Sequence, residues 1–273
     1  MSARAATVDA AGEDRRRRPF FSSRFAFGLL GILILLGCWW VGGLVLLNSA
    51  SGQAFAGFAP GPTFASFVKM LGNGAILHAA LPSLGRIFGG LLVAILLGVP
   101  LGIALGRLPA LQKITHVPFQ FLRMISPLSW MPIAVLAFPS WNGAIVFLIA
   151  AAAIWPVTFA TANGVAKLDP AWLKLARNLG ASLPHRLAFV ILPAIAQDMF
   201  TGIRLALGVA WIVLVPAEYL GVSSGLGYAI NDARDSLDYA QLTAIVLVIG
   251  ILGFSLDAIC LFLIRRVSYH HHS

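Results

Sequence analysis

Charged residues are scarce in this chain of 273 residues: Asp, Glu, Lys and Arg make up 11% of it, against about 25% in soluble domains. Hydrophobic residues reach 59%, and the mean hydropathy is +0.88. A water-soluble globular domain is therefore excluded. Inside a bilayer only helices or a closed barrel satisfy the backbone, and the apolar runs are continuous rather than alternating. We predict an all-α, polytopic membrane protein.

Cysteine and nucleotide-binding motifs are also rare or missing. Cys38 and Cys260 have no neighbouring His or second Cys at metal-ligand spacing, so we predict neither a disulfide framework nor a metal site. The chain has no Gly-Lys dipeptide and hence no phosphate-binding loop. The apolar runs lack the paired His or carboxylate groups of an active site. We expect no catalytic residue and no cofactor in this chain.

Six apolar segments are long enough to cross a bilayer. They are residues 25–47, 84–105, 117–138, 141–161, 193–216 and 242–264. Residues 1–19 are polar and arginine-rich, which predicts a disordered basic tail, and residues 20–267 would form the transmembrane domain. Residues 268–273, with three consecutive histidines, resemble the remnant of a purification tag and are excluded from function.

Basic residues are unevenly distributed between the connections. Of nineteen Lys and Arg, only Lys69, Arg86 and Arg234 fall on one predicted side, which leaves sixteen on the other. Because positively charged loops stay in the cytoplasm, both termini are expected there, and no nucleic-acid partner is needed to explain the charge.

Glycine and proline mark two of the predicted spans. Gly98, Gly102 and Gly106 repeat every four residues, which predicts a face that another helix can approach closely. The segment 126–132 places Pro127 and Pro132 inside the third span. Broken backbone at this depth is tolerated where it lines a watery pathway or where it is a packed kink.

Seven residues are candidates for lining a pathway through the membrane. Single tryptophans can also be packing residues or interface anchors, and a span arginine can attract an anion or snorkel to the interface. Asp257 is expected to face protein, as a hydrogen-bond partner between helices or, alternatively, as a proton relay. The pathway candidates are Ser126, Pro127, Ser129, Trp130, Trp155, Arg204 and Trp211.

The connection 162–192 reads as a cytoplasmic helix-turn-helix. Asp169 and Pro170 form a helix start, Gly180 a stop, and an apolar stripe of Trp172, Leu175, Ala176 and Leu179 lies between them. A basic stretch follows and re-enters the membrane at Leu192-Pro193. Such an element fits docking onto a partner protein, and it equally fits lying on anionic lipid.

This connection resembles the ATPase-docking loop of permease subunits from bacterial ABC importers. That loop has the pattern Glu-Ala-Ala, three residues, Gly, nine residues, Ile-x-Leu-Pro. Here Gly180 is followed by nine residues and then Val190-Ile191-Leu192-Pro193. Lys174, Leu175 and Ala176 occupy the Glu-Ala-Ala positions, so the acidic residue and the first alanine differ.

The wider resemblance covers residues 75–265 and points to the nitrate, sulfonate, taurine and bicarbonate permeases, with type I importer architecture. Segments 126–132 and 154–156 resemble the nitrate, cyanate and bicarbonate branch. Residues 176–182, 201–211, 217–221 and 225–228 carry the family likeness. The resemblance implies a bacterial inner-membrane subunit that imports a small anion, nitrate-like first, by alternating access.

The same resemblance implies partners and sites. They are separate ATPase subunits that bind ATP and Mg²⁺, a second permease subunit that we expect to be identical, an extracytoplasmic solute-binding protein, and the surrounding lipid. Glu218, Asp232 and Asp235, on the outer loop, could receive the binding protein or be simply the solvated acidic side. The residues implied in ATPase docking are Trp172, Leu175, Ala176, Arg177, Gly180, Ala181, Ser182 and Arg186.

Two other classes of function fit the sequence less well. A carrier driven by an ion gradient would need intramembrane acids and usually an inverted repeat, whereas we find one acid, Asp257, and no clear repeat. A membrane-embedded enzyme would need a catalytic constellation that the spans lack.

Overall fold

The computed structural model describes residues 22–49 and 52–269. Within those ranges all regular elements are helical, so the all-α prediction is confirmed. The predicted tail 1–19 lies outside the described residues, as does most of the presumed tag. Residues 268 and 269 continue the last helix.

Eleven α-helices occupy the described ranges. They are α1 Ser22–Asn48, α2 Pro60–Gly72, α3 Ala75–Arg107, α4 Pro109–Met124, α5 Met131–Ala137, α6 Trp141–Ala166, α7 Pro170–Asn178, α8 Leu183–Arg186, α9 Leu192–Gly221, α10 Leu226–Asp235 and α11 Tyr239–Tyr269. Two 3₁₀ turns, Gln53–Phe58 and Pro127–Trp130, and one π turn, Leu187–Ile191, complete the described structure.

The chain divides into two compact units, Met1–Pro60 and Gly61–Ser273. In the first unit the Trp39 indole Nε1–H donates to the Phe58 carbonyl oxygen at 3.0 Å, which joins α1 to the first 3₁₀ turn. The second unit contains all the candidate site residues predicted above.

Five helical stretches in the described ranges are long and apolar enough to cross a membrane. They are Ala26–Asn48, Ala75–Arg107, Trp141–Ala166, Leu183–Gly221 and Tyr239–Arg266. The pair α4 and α5 passes the same test together but bends by 86° at the Pro127–Trp130 turn. The broken backbone predicted for the third span is therefore confirmed, with the break at Pro127.

Helices α4 and α5 together must bring the chain back across the second unit, because α3 and α6 run in the same direction. Helix α3 ends where a Cβ on Gly106 would lie 2.6 Å from Val165 Cβ, near the end of α6. Earlier along α3, Arg86 contacts the start of α6: Arg86 Nε donates to Asn142 Oδ1 at 2.9 Å. The two helices thus run parallel over about 39 Å of α6. The connection between them crosses back, which gives six crossings with α1.

The second unit therefore has two ends. We call the end with Arg86, Asn142 and Glu218 the Glu218 end, and the opposite end, with α7 and α8, the Gly180 end. Helix α9 starts beside α6 at the Gly180 end, where Lys167 Nζ lies 2.7 Å from Asp198 Oδ1, and it finishes at the Glu218 end.

Glycines set the spacing between α3 and α6. A Cβ on Gly98 would lie 3.0 Å from Val157, and one on Gly102 would lie 2.5 Å from the Thr158 carbonyl oxygen. Any side chain there would push the helices apart, so the predicted small-residue face is confirmed. Around this contact α3, α6 and α9 share one core of fully buried residues, including Ile87, Leu148, Ile149 and Leu214.

Candidate functional site

Local sequence signals position α7 at the Gly180 end. Asp169 caps the helix, with its Oδ1 accepting from the Ala171 amide at 2.8 Å. Gly180 has φ +77° and ends it, a backbone conformation that glycine adopts without strain. The Gly180 and Ala181 amides donate to the Arg177 and Ala176 carbonyl oxygens, both at 3.0 Å. The predicted short helix and its stop are confirmed.

The apolar stripe of α7 faces away from the rest of the chain. Trp172 is 58% exposed, Leu175 60% and Leu179 77%. Exposure of three large apolar side chains on one short helix is costly in water, because about 25 cal/mol is lost per Å² of apolar surface left uncovered. This surface, which we call the α7 surface, is available to a partner or to lipid.

The other predicted docking residues surround the α7 surface. Arg177, Gly180 and Ser182 are exposed, while Ala176, Ala181 and Arg186 are half-buried. A cleft of about 550 Å³ opens at the turn, lined by Ala176, Leu179, Gly180, Ala181, Ser182 and His185. Arg186 Nε is buried without a hydrogen-bond partner among the described residues.

The segment after the turn differs from the prediction of a separate second helix. Helix α8, the π turn Leu187–Ile191 and α9 form one helical path of 39 residues, Leu183–Gly221. Pro193 has no amide hydrogen to give to the Phe189 carbonyl, and its ring crowds the preceding turn. The helix widens into a π turn there instead of ending. The hydrogen-bonded turn at Gly180 therefore joins the α7 surface to this helical path.

A cavity of about 680 Å³ lies between α3, α4, α6 and α9. Of the predicted pathway residues, Pro127, Trp130 and Trp155 line it, whereas Ser126 and Ser129 do not and are exposed. Arg123 is the one charged residue in the described lining, and its guanidinium lies 5.4 Å from the centre of the Phe159 ring. The structure thus brings only part of the predicted set together.

Arg204 and Trp211 lie elsewhere, on the side of α9 that faces α11. Trp211 lines a smaller space of about 110 Å³ and contacts Gly253. Arg204 Nε and Nη2 donate to Asp257 Oδ1 and Oδ2 at 2.7 and 2.8 Å. This bidentate pair engages two of the five N–H donors of the guanidinium, and the side chain is 38% exposed, so the pathway role of Arg204 stays a prediction. The prediction that Asp257 bonds another helix is confirmed.

Glu218 was predicted to receive a binding protein from an outer loop, and this prediction is wrong. Glu218 belongs to α9 rather than to a loop, and its side chain is completely buried. It pairs with Arg86 of α3, which is 5% exposed. A buried carboxylate that is already paired has no surface to offer a second protein.

Ser83, Arg86, Asn142, Glu218, Ser224, Leu226 and Gly227 form what we call the Glu218 cluster. All five N–H donors of the Arg86 guanidinium are used: Nε and Nη2 donate to Asn142 Oδ1, Nη1 to Glu218 Oε1 and the Ser224 carbonyl, and Nη2 to Ser224 Oγ. Complete pairing of this kind is what permits charge in a buried site.

The carboxylate of Glu218 also fixes the start of α10. It accepts from the Gly227 amide at 3.0 Å, and Ser83 Oγ lies 2.8 Å from both its oxygens. Ser83 Oγ accepts in turn from the Leu226 amide at 2.9 Å. A Cβ on Gly225, whose φ is +111°, would lie 2.5 Å from the carboxylate. Only glycine fits there.

The sequence contained a signal for this cluster that was missed. Arg86 falls inside the predicted span 84–105, yet it was counted with the outer loops. A lone arginine in one span and a lone glutamate near the end of another must be paired if both are buried. Gly225 and Gly227 mark the close approach.

Asp232 and Asp235 are exposed on α10, as a docking role requires. Asp232 lines a cleft of about 570 Å³ together with Asn73, His78, Tyr228 and Gln241. Asp235 Oδ1 accepts from Arg234 Nη2 at 2.7 Å. Their docking role stays a prediction.

Comparison with known proteins identifies the class of this molecule. Residues 94–269 match the family described as binding-protein-dependent transport system inner membrane component. The chain belongs to this family, and it is a multi-pass inner-membrane transport subunit.

Named relatives fall in the wider group of nitrate, bicarbonate and taurine permeases that the sequence resembles. The bicarbonate transport system permease protein CmpB of Synechococcus elongatus is 36% identical over 187 residues, 68% of this chain and 67% of the relative. The nitrate import permease protein NrtB of Leptolyngbya laminosa is 35% identical over 185 residues, 68% and 66%. The taurine transport system permease protein TauC of Escherichia coli is 31% identical over 247 residues, 88% of each chain.

Proposed function

We propose that this chain is the permease subunit of an ATP-driven importer that moves a small anion into the cytoplasm. The observation that carries the proposal is the α7 surface, which is apolar, uncovered and joined by the Gly180 turn to the helical path Leu183–Gly221 of the membrane bundle. Such a surface is suited to receive a partner that drives movement. We assign this partner as an ATPase that binds ATP and Mg²⁺.

Charge supports placing the Gly180 end in the cytoplasm. Exposed basic residues there include Lys167, Lys174 and Arg177. At the Glu218 end Arg86 is neutralised by burial and pairing, which leaves Lys69 and Arg234 exposed. By the positive-inside rule the α7 surface faces the cytoplasm, and α10 faces the solute-binding protein outside. Both termini are then cytoplasmic.

A second permease subunit, which we propose to be identical, would complete the pathway. Helix α9 leaves a stripe of Thr201, Leu205, Gly208 and Ile212 exposed. Beside it lies the Arg204–Asp257 pair, with side chains 38% and 43% exposed. Because charge at membrane depth avoids lipid, this face suits a protein partner or a watery path. Alternating access would open the path to one side at a time.

For the cargo we propose a nitrate-like anion first, then bicarbonate, cyanate, taurine or alkanesulfonates. The names of the relatives cited above support this group of anions, and the segment at Pro127 and Trp130 resembles the nitrate, cyanate and bicarbonate branch. Reconstitution in liposomes with ATPase and binding protein tests it, because ATP-dependent uptake of one of these anions is expected. Uptake of none would overturn the cargo assignment, and uptake without nucleotide would favour a gradient-driven carrier.

A further inference from the structure

Helix α9 links two surfaces at opposite ends of the molecule. At the Gly180 end it continues from α8, which the hydrogen-bonded Gly180 turn joins to α7. At the Glu218 end it carries Glu218 in its last turn, which ends at Gly221. The helical path of 39 residues spans about 58 Å. Movement of the α7 surface therefore acts on one end of a rod whose other end is held by the Glu218 cluster.

The Glu218 cluster fastens α9 to α10. Glu218 binds the Gly227 amide directly and the Leu226 amide through Ser83 Oγ. A carboxylate at a helix N-terminus is favourable, because it meets the positive end of the helix dipole. Helix α10 carries the exposed Asp232 and Asp235. Helix α10, which carries this exposed face, is thus hydrogen-bonded to the carboxylate of Glu218 in the last turn of α9.

Separating these elements would leave buried charge without a partner. All five Arg86 donors are engaged, and Glu218 is completely buried. Removing one partner of a buried pair is strongly unfavourable. The ends of α3, α9 and α10 must then move as one body rather than slide past each other.

We propose that Glu218 is a positioning residue of the transport cycle: paired with Arg86, it makes α9 and α10 one body, so that a protein bound at α10 is sensed at the α7 surface. This inference rests on the proposed function. The partner at α10 is the solute-binding protein, and the response is the rate of the ATPase docked on the α7 surface. The coupling runs from α7 through the Gly180 turn, along the helical path Leu183–Gly221, to the fully paired Arg86–Glu218 ion pair.

The variant Glu218→Gln tests the inference in the complete importer reconstituted in nanodiscs. ATP hydrolysis per assembled complex is measured with and without saturating liganded binding protein. We expect the ratio of stimulated to basal rate to fall by roughly fivefold or more, a typical strength of coupling between sites. A purely structural role would lower the amount of assembled complex and leave this ratio at the wild-type value, which would overturn the inference.

Asp198→Asn is the matched control, because it makes the same chemical change on the same helix in a pair that is partly exposed. Its ratio should equal that of the wild type. If Glu218→Gln does not assemble, Ser83→Ala decides. It keeps the ion pair and removes the hydroxyl between Leu226 and Glu218, and a reduced ratio is expected. Ser255→Ala, at an exposed serine bonded to its own helix, is the control.

The inference and the proposed function fail in different ways. A wild-type ratio in Glu218→Gln, or in Ser83→Ala if Glu218→Gln does not assemble, overturns the inference and leaves the importer intact. A wild-type chain that neither binds an ATPase nor supports stimulation by a binding protein overturns the proposed function itself.

Discussion

The two ends of the bundle handle polar and apolar groups in opposite ways. At the Glu218 end a full ion pair is buried and each Arg86 donor has a partner inside the chain. At the Gly180 end Trp172, Leu175 and Leu179 are exposed although they are apolar. The polar groups at the Glu218 end are paired within the chain, whereas the apolar side chains at the Gly180 end need another surface to cover them. The difference indicates which end is a joint and which end is an interface.

The largest loss of stability is expected from Gly225→Ala, which disrupts the fully paired Glu218 cluster. A Cβ there would lie 2.5 Å from the Glu218 carboxylate at φ +111°. We expect the free energy of unfolding to fall by roughly 3–5 kcal/mol, the usual result of disrupting a buried pair. Thermal unfolding of the purified protein in detergent measures this. Gly85→Ala, with open space around its Cβ, should be near neutral.

Arg86→Gln should be almost as damaging, because it leaves Glu218 buried without its counter-charge, at a cost of roughly 3 kcal/mol or more. The same thermal measurement applies. Arg204→Gln is the comparison, since its pair with Asp257 is partly exposed and should lose clearly less stability. Equal losses in the two variants would show that burial does not distinguish these ion pairs.

The α7 surface should show the reverse pattern. Leu175→Ala should leave thermal unfolding unchanged yet weaken ATPase binding about tenfold, as truncation of a central interface residue costs roughly 1–2 kcal/mol. Binding of the purified ATPase to the permease in nanodiscs measures it. Leu237→Ala, on a similarly exposed leucine at the Glu218 end, is the control. If Leu237→Ala alone weakened ATPase binding, the ATPase would dock at the Glu218 end instead of at the α7 surface.

Gly180→Ala should lower the free energy of unfolding by roughly 1–2 kcal/mol, less than Gly225→Ala or Arg86→Gln, because a left-handed backbone is strained for alanine. Nothing lies within 4 Å of the added Cβ, so no clash adds to it. Faster amide hydrogen exchange confined to α7 and the following turn is expected. Exchange that rises throughout α9 would indicate that the turn holds more than its own helix.

Features written in local chemistry could be predicted from the sequence. The Asp169 cap, the Gly180 stop, the break at Pro127 and the glycine face of α3 each depend on a few neighbouring residues. The ion pair between Arg86 and Glu218 could not be placed in this way, because it joins residues 132 positions apart. Its existence could be inferred only from the cost of leaving either charge alone in the membrane.

Two further differences have physical reasons of the same kind. The sequence places the start of a span at Pro193, but a π turn absorbs the missing hydrogen bond and the helical path begins earlier, at Leu183. The sequence places Arg204 and Asp257 in two different spans, and it does not show that their side chains pair. The lining of the cavity at Trp130 and Trp155 depends likewise on how α4 folds back, which no local pattern specifies.

Thiol accessibility at position 175 tests most directly whether the α7 surface docks a driving ATPase. A cysteine replaces Leu175 in a chain whose native Cys38 and Cys260 are changed to serine, and a membrane-impermeant thiol reagent is applied to nanodiscs. We expect rapid labelling of the permease alone and labelling at least about tenfold slower in the assembled, ATP-hydrolysing importer. Equal rates in both, or protection of the permease alone by lipid, would contradict it.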